Sequence, residues 1–282
     1  MTGPWQKFPP RRDPAARAPR EHAPRPAGEP GDAPRPSRRG EEVRLYGLNA
    51  VRALFEARPE SLRKLYLTQA RVHALKPVLA WCVANRVGYR VVEEADLHKL
   101  ASSAHHEGVV ADVLRRAPVS LDDWIASLSA GPALALWLDG VSNPHNFGAI
   151  LRSAAHFGVS GLLLPQDWPL ALSGAAARVA EGGAEAVTLV QAGDSVAAFA
   201  RLRAAGFSLA ATLVDGGDNL FATALPQRLV YVLGAEGQGM DRDLAGDCDL
   251  TLSIPGSGRV ESLNVASATA VLLAQWASAR RA

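Results

Sequence analysis

At 282 residues the chain is long enough for two ordinary domains, and its net charge of +2 by itself selects no class of partner. The charge is unevenly placed: residues 1–40 hold nine lysines and arginines against four acids, a net +5, with ten of the nineteen prolines, leaving −3 for the remainder. No run of about 20 apolar residues could cross a bilayer and no signal-peptide core opens the chain, while Cys82 and Cys248 lack metal-ligand spacing, so the expectation is a cytoplasmic protein with two ordinary thiols.

The first forty residues have too few aliphatic side chains to offset the entropy of ordering, and they read as a disordered basic arm. Such an arm is either a phosphate-contacting tether or a solvated tail. Helical spacing of Val51, Leu54 and Phe55 predicts a helix over Tyr46–Arg58, started by Gly47-Leu48-Asn49. A strand at Lys64–Leu67, a helix at His73–Asn85, a strand at Tyr89–Val92, a helix at Glu94–Leu100 and a strand at Val109–Val113 follow. That alternation predicts a small α/β domain over 43–116. The stretch 117–132 reads as a linker, with Pro118 as breaker and Ser120 as a possible helix cap.

From 133 to 282 the pattern is βα again. Strands are expected at Leu134–Leu138, Gly161–Leu164, Val187–Val190, Ser208–Thr212, Leu229–Leu233 and Leu250–Ile254. Helices are expected at Phe147–Phe157, Gly174–Ala180, Ser195–Ala205, Asp241–Gly246 and Ser262–Arg280. Continuously apolar strands between helices imply a mostly parallel sheet covered on both faces.

Three segments carry the chemistry. "DGVSNPHNFGAILRSAAHFG" (Asp139–Gly158) puts Asn146 at the mouth of a helix and Arg152 six residues along it; in isolation these would be an N-cap and a surface ion-pair donor. "YVLGAEGQGM" (Tyr231–Met240) is an apolar strand running into a glycine loop that contains Glu236, a carboxylate with little packing reason to be there. "SIPGSGRVESLNVASATAVLLAQW" (Ser253–Trp276) is another strand end, a glycine loop, and a helix opened by Ser262 and Asn264. Two glycine-rich strand exits about twenty residues apart predict one pocket rimmed by backbone groups.

In order and spacing these segments resemble the motifs of the SpoU-TrmH family of RNA ribose 2′-O-methyltransferases, over roughly Leu134–Trp276. "RLYGLNAVRALFE", "LRKLYL" and "HHEGVVADV" resemble the small substrate-binding domain that often precedes that catalytic domain. The resemblance implies an L30e-like α/β domain followed by an α/β trefoil-knot methyltransferase domain. It further implies S-adenosylmethionine as methyl donor, structured ribosomal or transfer RNA as substrate, no metal, and a homodimer through the C-terminal domain. It assigns Arg152, Asn146, Glu236, Ser262 and Asn264 to the catalytic side, and Gly234, Ile254, Leu263, Leu213 and Gly237 to the cofactor side. Two departures bear on substrate preference: Ala266 stands where the family usually has serine, and Gly256 where it usually has a bulky residue.

Ser262 also reads as a helix cap, a role that can coexist with the catalytic one, and a non-catalytic RNA-binding or assembly factor on the same fold is the alternative function. His105, His106 and His145 tempt toward metal chemistry, but no ligand spacing supports it and they read as loop or RNA-contact residues. Trp137, Trp168 and Trp276 read as packing. A phosphate-loop nucleotide enzyme is excluded by the missing motif and by the absence of any lysine after Lys99. In the small domain Arg44, Arg52, Arg63, Lys64, Arg71 and Lys76 offer a phosphate-tracking surface.

Overall fold

The structure is a computed structural model that describes residues 42–166, 168, 170–234 and 239–280. The expected arm at 1–40 therefore lies outside the described residues, as do Glu236 and Gly237.

A four-stranded sheet comes first, built from β1 (Glu42–Tyr46), β2 (Leu62–Leu67), β3 (Gly88–Val91) and β4 (Val109–Leu114) in the order β1-β4-β2-β3. Strand β4 runs antiparallel to both β1 and β2, while β2 and β3 are parallel. Helix α1 (Leu48–Ala57) buries Ala50, Val51 and Leu54, the spacing that one helical face requires. Helices α2 (Lys76–Ala84) and α3 (Glu94–Ala101) complete this part. Strand β1 was not expected: Tyr46, read as the start of a helix, is the last residue of a strand, and Gly47 at φ 101° turns the chain into α1.

The larger sheet has eight strands in the order β10-β12-β9-β11-β6-β7-β8-β5, every pairing parallel. They are β5 (Val119–Ser120), β6 (Ala133–Leu138), β7 (Gly161–Pro165), β8 (Leu189–Gly193), β9 (Ser208–Leu213), β10 (Asp218–Asn219), β11 (Arg228–Leu233) and β12 (Leu250–Ser253). The central strand β6 shows why its sequence is apolar throughout. Leu134, Leu136 and Leu138 face one core, and Ala133, Ala135 and Trp137 face the other. The first core is covered by α5 (Pro144–Phe157), α6 (Gly174–Ala180), α7 (Gly183–Ala186) and α10 (Val265–Ser278), and the second by α4 (Leu121–Ser127), α8 (Ser195–Ala204) and Leu244 of the short α9 (Arg242–Gly246).

The segment read as a linker carries structure of its own. Val119 and Ser120 add an edge strand beside β8, Ser120 caps α4 by accepting from the Asp123 amide at 3.1 Å, and Trp124 is buried under the sheet. A two-residue strand gives too short a period to be read from sequence.

The small sheet is seated on α6 and α7 by close approach. A Cβ on Gly174 would lie 2.5 Å from the Tyr46 ring, and one on Gly47 2.8 Å from Arg178 Cγ. Ala177 of α6 is part of the small sheet's own core. The contact is locked by Arg58, whose Nε and Nη2 donate to the two Glu185 oxygens at 2.7 and 2.8 Å while its Nη1 donates to the Leu114 carbonyl at 2.6 Å. Both side chains of this pair are largely buried.

Candidate active site

Outside the carboxyl ends of the adjacent parallel strands β12, β9 and β11 lies a cavity of about 1150 Å³. Carboxyl ends of parallel strands are where open α/β sheets bind ligands, because loops and helix N-termini converge there. Leu213 closes β9, Gly234 follows β11, Ile254 follows β12, and Leu263 precedes α10; all four line the cavity, as do Ser262 and Asn264. Gly234 allows the β11 exit to pass against the next segment, since a Cβ there would lie 2.6 Å from the Met240 nitrogen.

Sequence reasoning found two glycine-rich strand exits, and the structure adds a third. Val214, Asp215, Gly216 and Gly217 leave β9 and form part of the wall. A Cβ on Gly217 would strike the Leu252 carbonyl carbon at 2.7 Å, so glycine is what lets this loop lie against β12, where its amide donates to Ser253 Oγ at 3.0 Å. The signal was present in "LVDGGDN", but the strand before it belongs to none of the three motifs.

The catalytic-side residues are not all gathered at this cavity. Asn146 lies in the first turn of α5, and its Oδ1 accepts from Asn264 Nδ2 at 3.1 Å, joining the first and third motifs across 118 positions. The cap of α5 is Asn143, whose Oδ1 accepts from the His145 amide at 2.9 Å, so the reading of Asn146 as an N-cap is replaced. At α10 the cap is Asn264, which accepts from the Ala266 and Ser267 amides at 3.0 and 3.3 Å. Ser262 stands two residues outside that cap, exposed on the loop, so the helix-cap reading of Ser262 is corrected and the helix begins later than Ser262. Arg152 is exposed on α5, is absent from the cavity wall, and makes no hydrogen bond or ion pair among the described residues, which removes its reading as an ion-pair donor there.

The electrostatics of the cavity discriminate between ligands. The charged side chains on the described wall are Asp215 and Glu261, both carboxylates. Such a wall suits a cationic ligand among apolar side chains and repels a phosphate. Near it, Asp139 at the end of β6 has its carboxyl pushed up by burial and then by the neighbouring Asp241.

The histidines need one correction. The structure does bring Glu94, His98 and His106 together, with potential ligand atoms within 4.8 Å of one another, although the sequence offered no ligand spacing. Their hydrogen bonding argues against a metal centre. His106 Nδ1 accepts from the Gly108 amide at 3.0 Å, which leaves the proton of the neutral ring on Nε2. A ligating nitrogen needs that lone pair, and a metal-bound histidine ordinarily donates from its other nitrogen. The buried ring is also held toward neutrality, first by desolvation and then by His98.

The comparisons with known proteins fall on this geometry. A family model described as the SpoU rRNA methylase family matches residues 133–274, and one described as RNA 2′-O ribose methyltransferase substrate binding matches residues 44–118. The chain belongs to the SpoU rRNA methylase family. It is an S-adenosylmethionine-dependent RNA ribose 2′-O-methyltransferase of that family. Among similar proteins, the uncharacterized tRNA/rRNA methyltransferase YfiF of Escherichia coli O157:H7 is 41% identical over 238 residues, covering 84% of this chain and 68% of its own. The 23S rRNA (guanosine-2′-O-)-methyltransferase RlmB of Nitrosomonas europaea is 34% identical over 232 residues, covering 81% and 88%. A solved structure assigned to the TrmH family of RNA methyltransferases, from Porphyromonas gingivalis, superposes with a TM-score of 0.66 at 27% identity, covering 86% and 92%. The cavity fits the family's methyl donor, because a sulfonium is a cation and the wall's charges are carboxylates.

Proposed function

We propose that this SpoU methylase acts on a guanosine of large-subunit ribosomal RNA, in the cytoplasm and as a homodimer. The observation that carries the site assignment is the Asn146–Asn264 hydrogen bond. It ties the helix that bears Arg152 to the loop that lines the cofactor cavity. The RNA class is supported by the relatives whose printed activity is guanosine 2′-O-methylation of 23S rRNA.

Leu213, Gly234, Ile254 and Leu263 would hold S-adenosylmethionine through backbone groups and apolar contact, and the family resemblance assigns Gly237 the same role. When bound, it supplies a methyl group on a sulfonium, open to attack by a ribose oxygen. Arg152 would orient the target nucleotide as a planar clamp on ribose and phosphate, rather than as a general base, because a guanidinium is effectively never deprotonated. The 2′-hydroxyl proton then leaves to a phosphate oxygen or to water. Asn146, held by Asn264, and the Glu236 and Ser262 side chains would position the attacking oxygen, and positioning of this kind supplies much of the rate.

The division into a basic arm, a substrate-binding domain over 43–116 and a catalytic domain over 133–282, with the trefoil threading of the latter, belongs to the same proposal. Exposure supports the homodimer: Val260 and Leu263 at the cavity rim are 72% and 48% exposed, and a second copy laid along α10 would cover them. Mapping alkali-resistant linkages in 23S rRNA from a deletion strain tests the substrate; a complete set of ribose methylations would overturn it. A monomeric mass in light scattering at micromolar concentration would overturn the dimer.

A further inference from the structure

A second cavity, of about 790 Å³, opens outside the carboxyl ends of β2 and β3, the parallel neighbours of the small sheet. It shares no lining residue with the cofactor cavity. Its floor is built in advance. The Gly108 carbonyl accepts from the Thr68 amide at 3.0 Å, and the Glu107 carbonyl accepts from Arg71 Nε at 2.7 Å. A Cβ on Gly108, at φ 80°, would come within 2.9 Å of both Arg71 Cγ and Thr68 Oγ1. Glu107 sits at φ 55°, a left-handed conformation that disfavours any side chain with a Cβ. It is kept there because its Oε2 accepts from the Leu48 amide at 3.0 Å and its Oε1 lies 3.6 Å from Arg178 Nη1. Strain that the surroundings over-determine is characteristic of ligand sites. Arg178 belongs to α6, so the wall is completed by the catalytic domain.

The groups left over define the ligand. Glu107 is committed and the Glu94 carboxylate lies within 4.8 Å of the His98 and His106 ring nitrogens, whereas the Glu93 carboxylate makes no hydrogen bond or ion pair among the described residues. Arg71, Arg178, the exposed Val91, Glu93 and Glu94 line the cavity together, so planar cations and carboxylate acceptors meet in one place. Carboxylates repel a phosphate but bind a planar group that offers two adjacent N–H donors. Unstacked RNA bases lie on arginine planes and are read on their Watson–Crick edges. Of the four, guanine alone presents two neighbouring donors there, N1–H and N2–H. Adenine and cytosine place an amine beside a ring acceptor, and uracil has one N–H between two carbonyls.

We propose that this cavity reads an unpaired guanine of the RNA, separate from the nucleotide that is methylated. Because α6 supplies part of its wall, occupancy would set the register of the catalytic domain on its substrate. This rests on the reading of the chain as an RNA methyltransferase.

The test is fluorescence anisotropy at low salt with the full chain and labelled heptamers of uridine carrying a central guanosine, inosine or adenosine. The guanosine heptamer should bind about tenfold more tightly than the adenosine one, the scale of one good bidentate base contact. Inosine, lacking the N2 amine, should fall between them. The E93Q/E94Q double variant should lose this discrimination while its melting temperature and its calorimetric affinity for S-adenosylmethionine stay unchanged. Equal affinity for the three heptamers, binding of none, or discrimination that survives E93Q/E94Q overturns the proposal. Displacement by an arginine-rich peptide but not by guanosine RNA would overturn it in favour of a protein partner. Failure of the wild type to bind S-adenosylmethionine would instead remove the methyltransferase reading, so the two failures are distinguishable.

Discussion

Replacing Arg152 by alanine separates a residue that acts on substrate from one that holds the fold. The side chain is exposed on α5 and has no hydrogen bond or ion pair among the described residues. Alanine is at least as good a helix former as arginine, so nothing in the folded state is lost. The expected stability change is within about 0.5 kcal/mol, the ordinary range for surface substitutions. At this chain length that is a melting shift of about 2 °C or less. Turnover should behave differently. If Arg152 clamps the nucleotide mainly in the transition state, its removal should lower single-turnover methylation about 100- to 1000-fold, on the scale of losing one preorganised donor, or about 3–4 kcal/mol. Affinity for S-adenosylmethionine should hardly move, since Arg152 is not on the cavity wall. Arg152→Lys keeps the charge and loses the planar fork, so it should recover only part of the rate. The assay is single-turnover methyl transfer to the native RNA, beside calorimetric titration of the cofactor and a melting curve for each variant. A folded Arg152→Ala protein with near-wild-type turnover would refute the clamp, while leaving the family assignment standing.

Arg58→Ala should show the opposite pattern, losing about 3 kcal/mol of stability in a melting experiment because it strands the largely buried Glu185 carboxylate and the Leu114 carbonyl. Gly234→Ala forces a Cβ to 2.6 Å from the Met240 nitrogen, a backbone atom that cannot give way cheaply, and calorimetry should find cofactor affinity reduced at least about tenfold. Burial pushes the Cys248 thiol up to about 11, so at pH 8 native protein should label slowly with a maleimide at this position and unfolded protein quickly. The sign follows: the folded state holds its proton more tightly, so this group's contribution to stability is intact below pH 9 and is lost as pH rises toward 11. Deleting residues 1–40 should lower RNA affinity chiefly at low salt, and an unchanged salt slope in binding titrations would make the arm a solvated tail.

The sequence alone determined the elements whose signal is long and local. Strands β6 and β11 are continuously apolar because both faces are covered, and the spacing of Val51 and Leu54 marks the buried face of α1. That Gly234, Ile254 and Leu263 line one cavity was legible because each sits next to a strand end or helix start within one of the three segments, whereas Leu213 lies outside them and came only from the resemblance. What depended on short or distant partners was not legible. Strands β5 and β10 have two residues each and exist only through pairing with β8 and β12. The cap positions moved to Asn143 and Asn264 because a polar residue's role depends on where the first helical turn closes, and neighbouring Asn and Ser compete for it. The Asn146–Asn264 bond spans 118 positions, the Arg58–Glu185 pair 127, and the Glu94–His98–His106 cluster joins a helix to a loop. Such contacts are chosen by chain topology, since close packing fixes which surfaces meet and the order of residues along the chain does not.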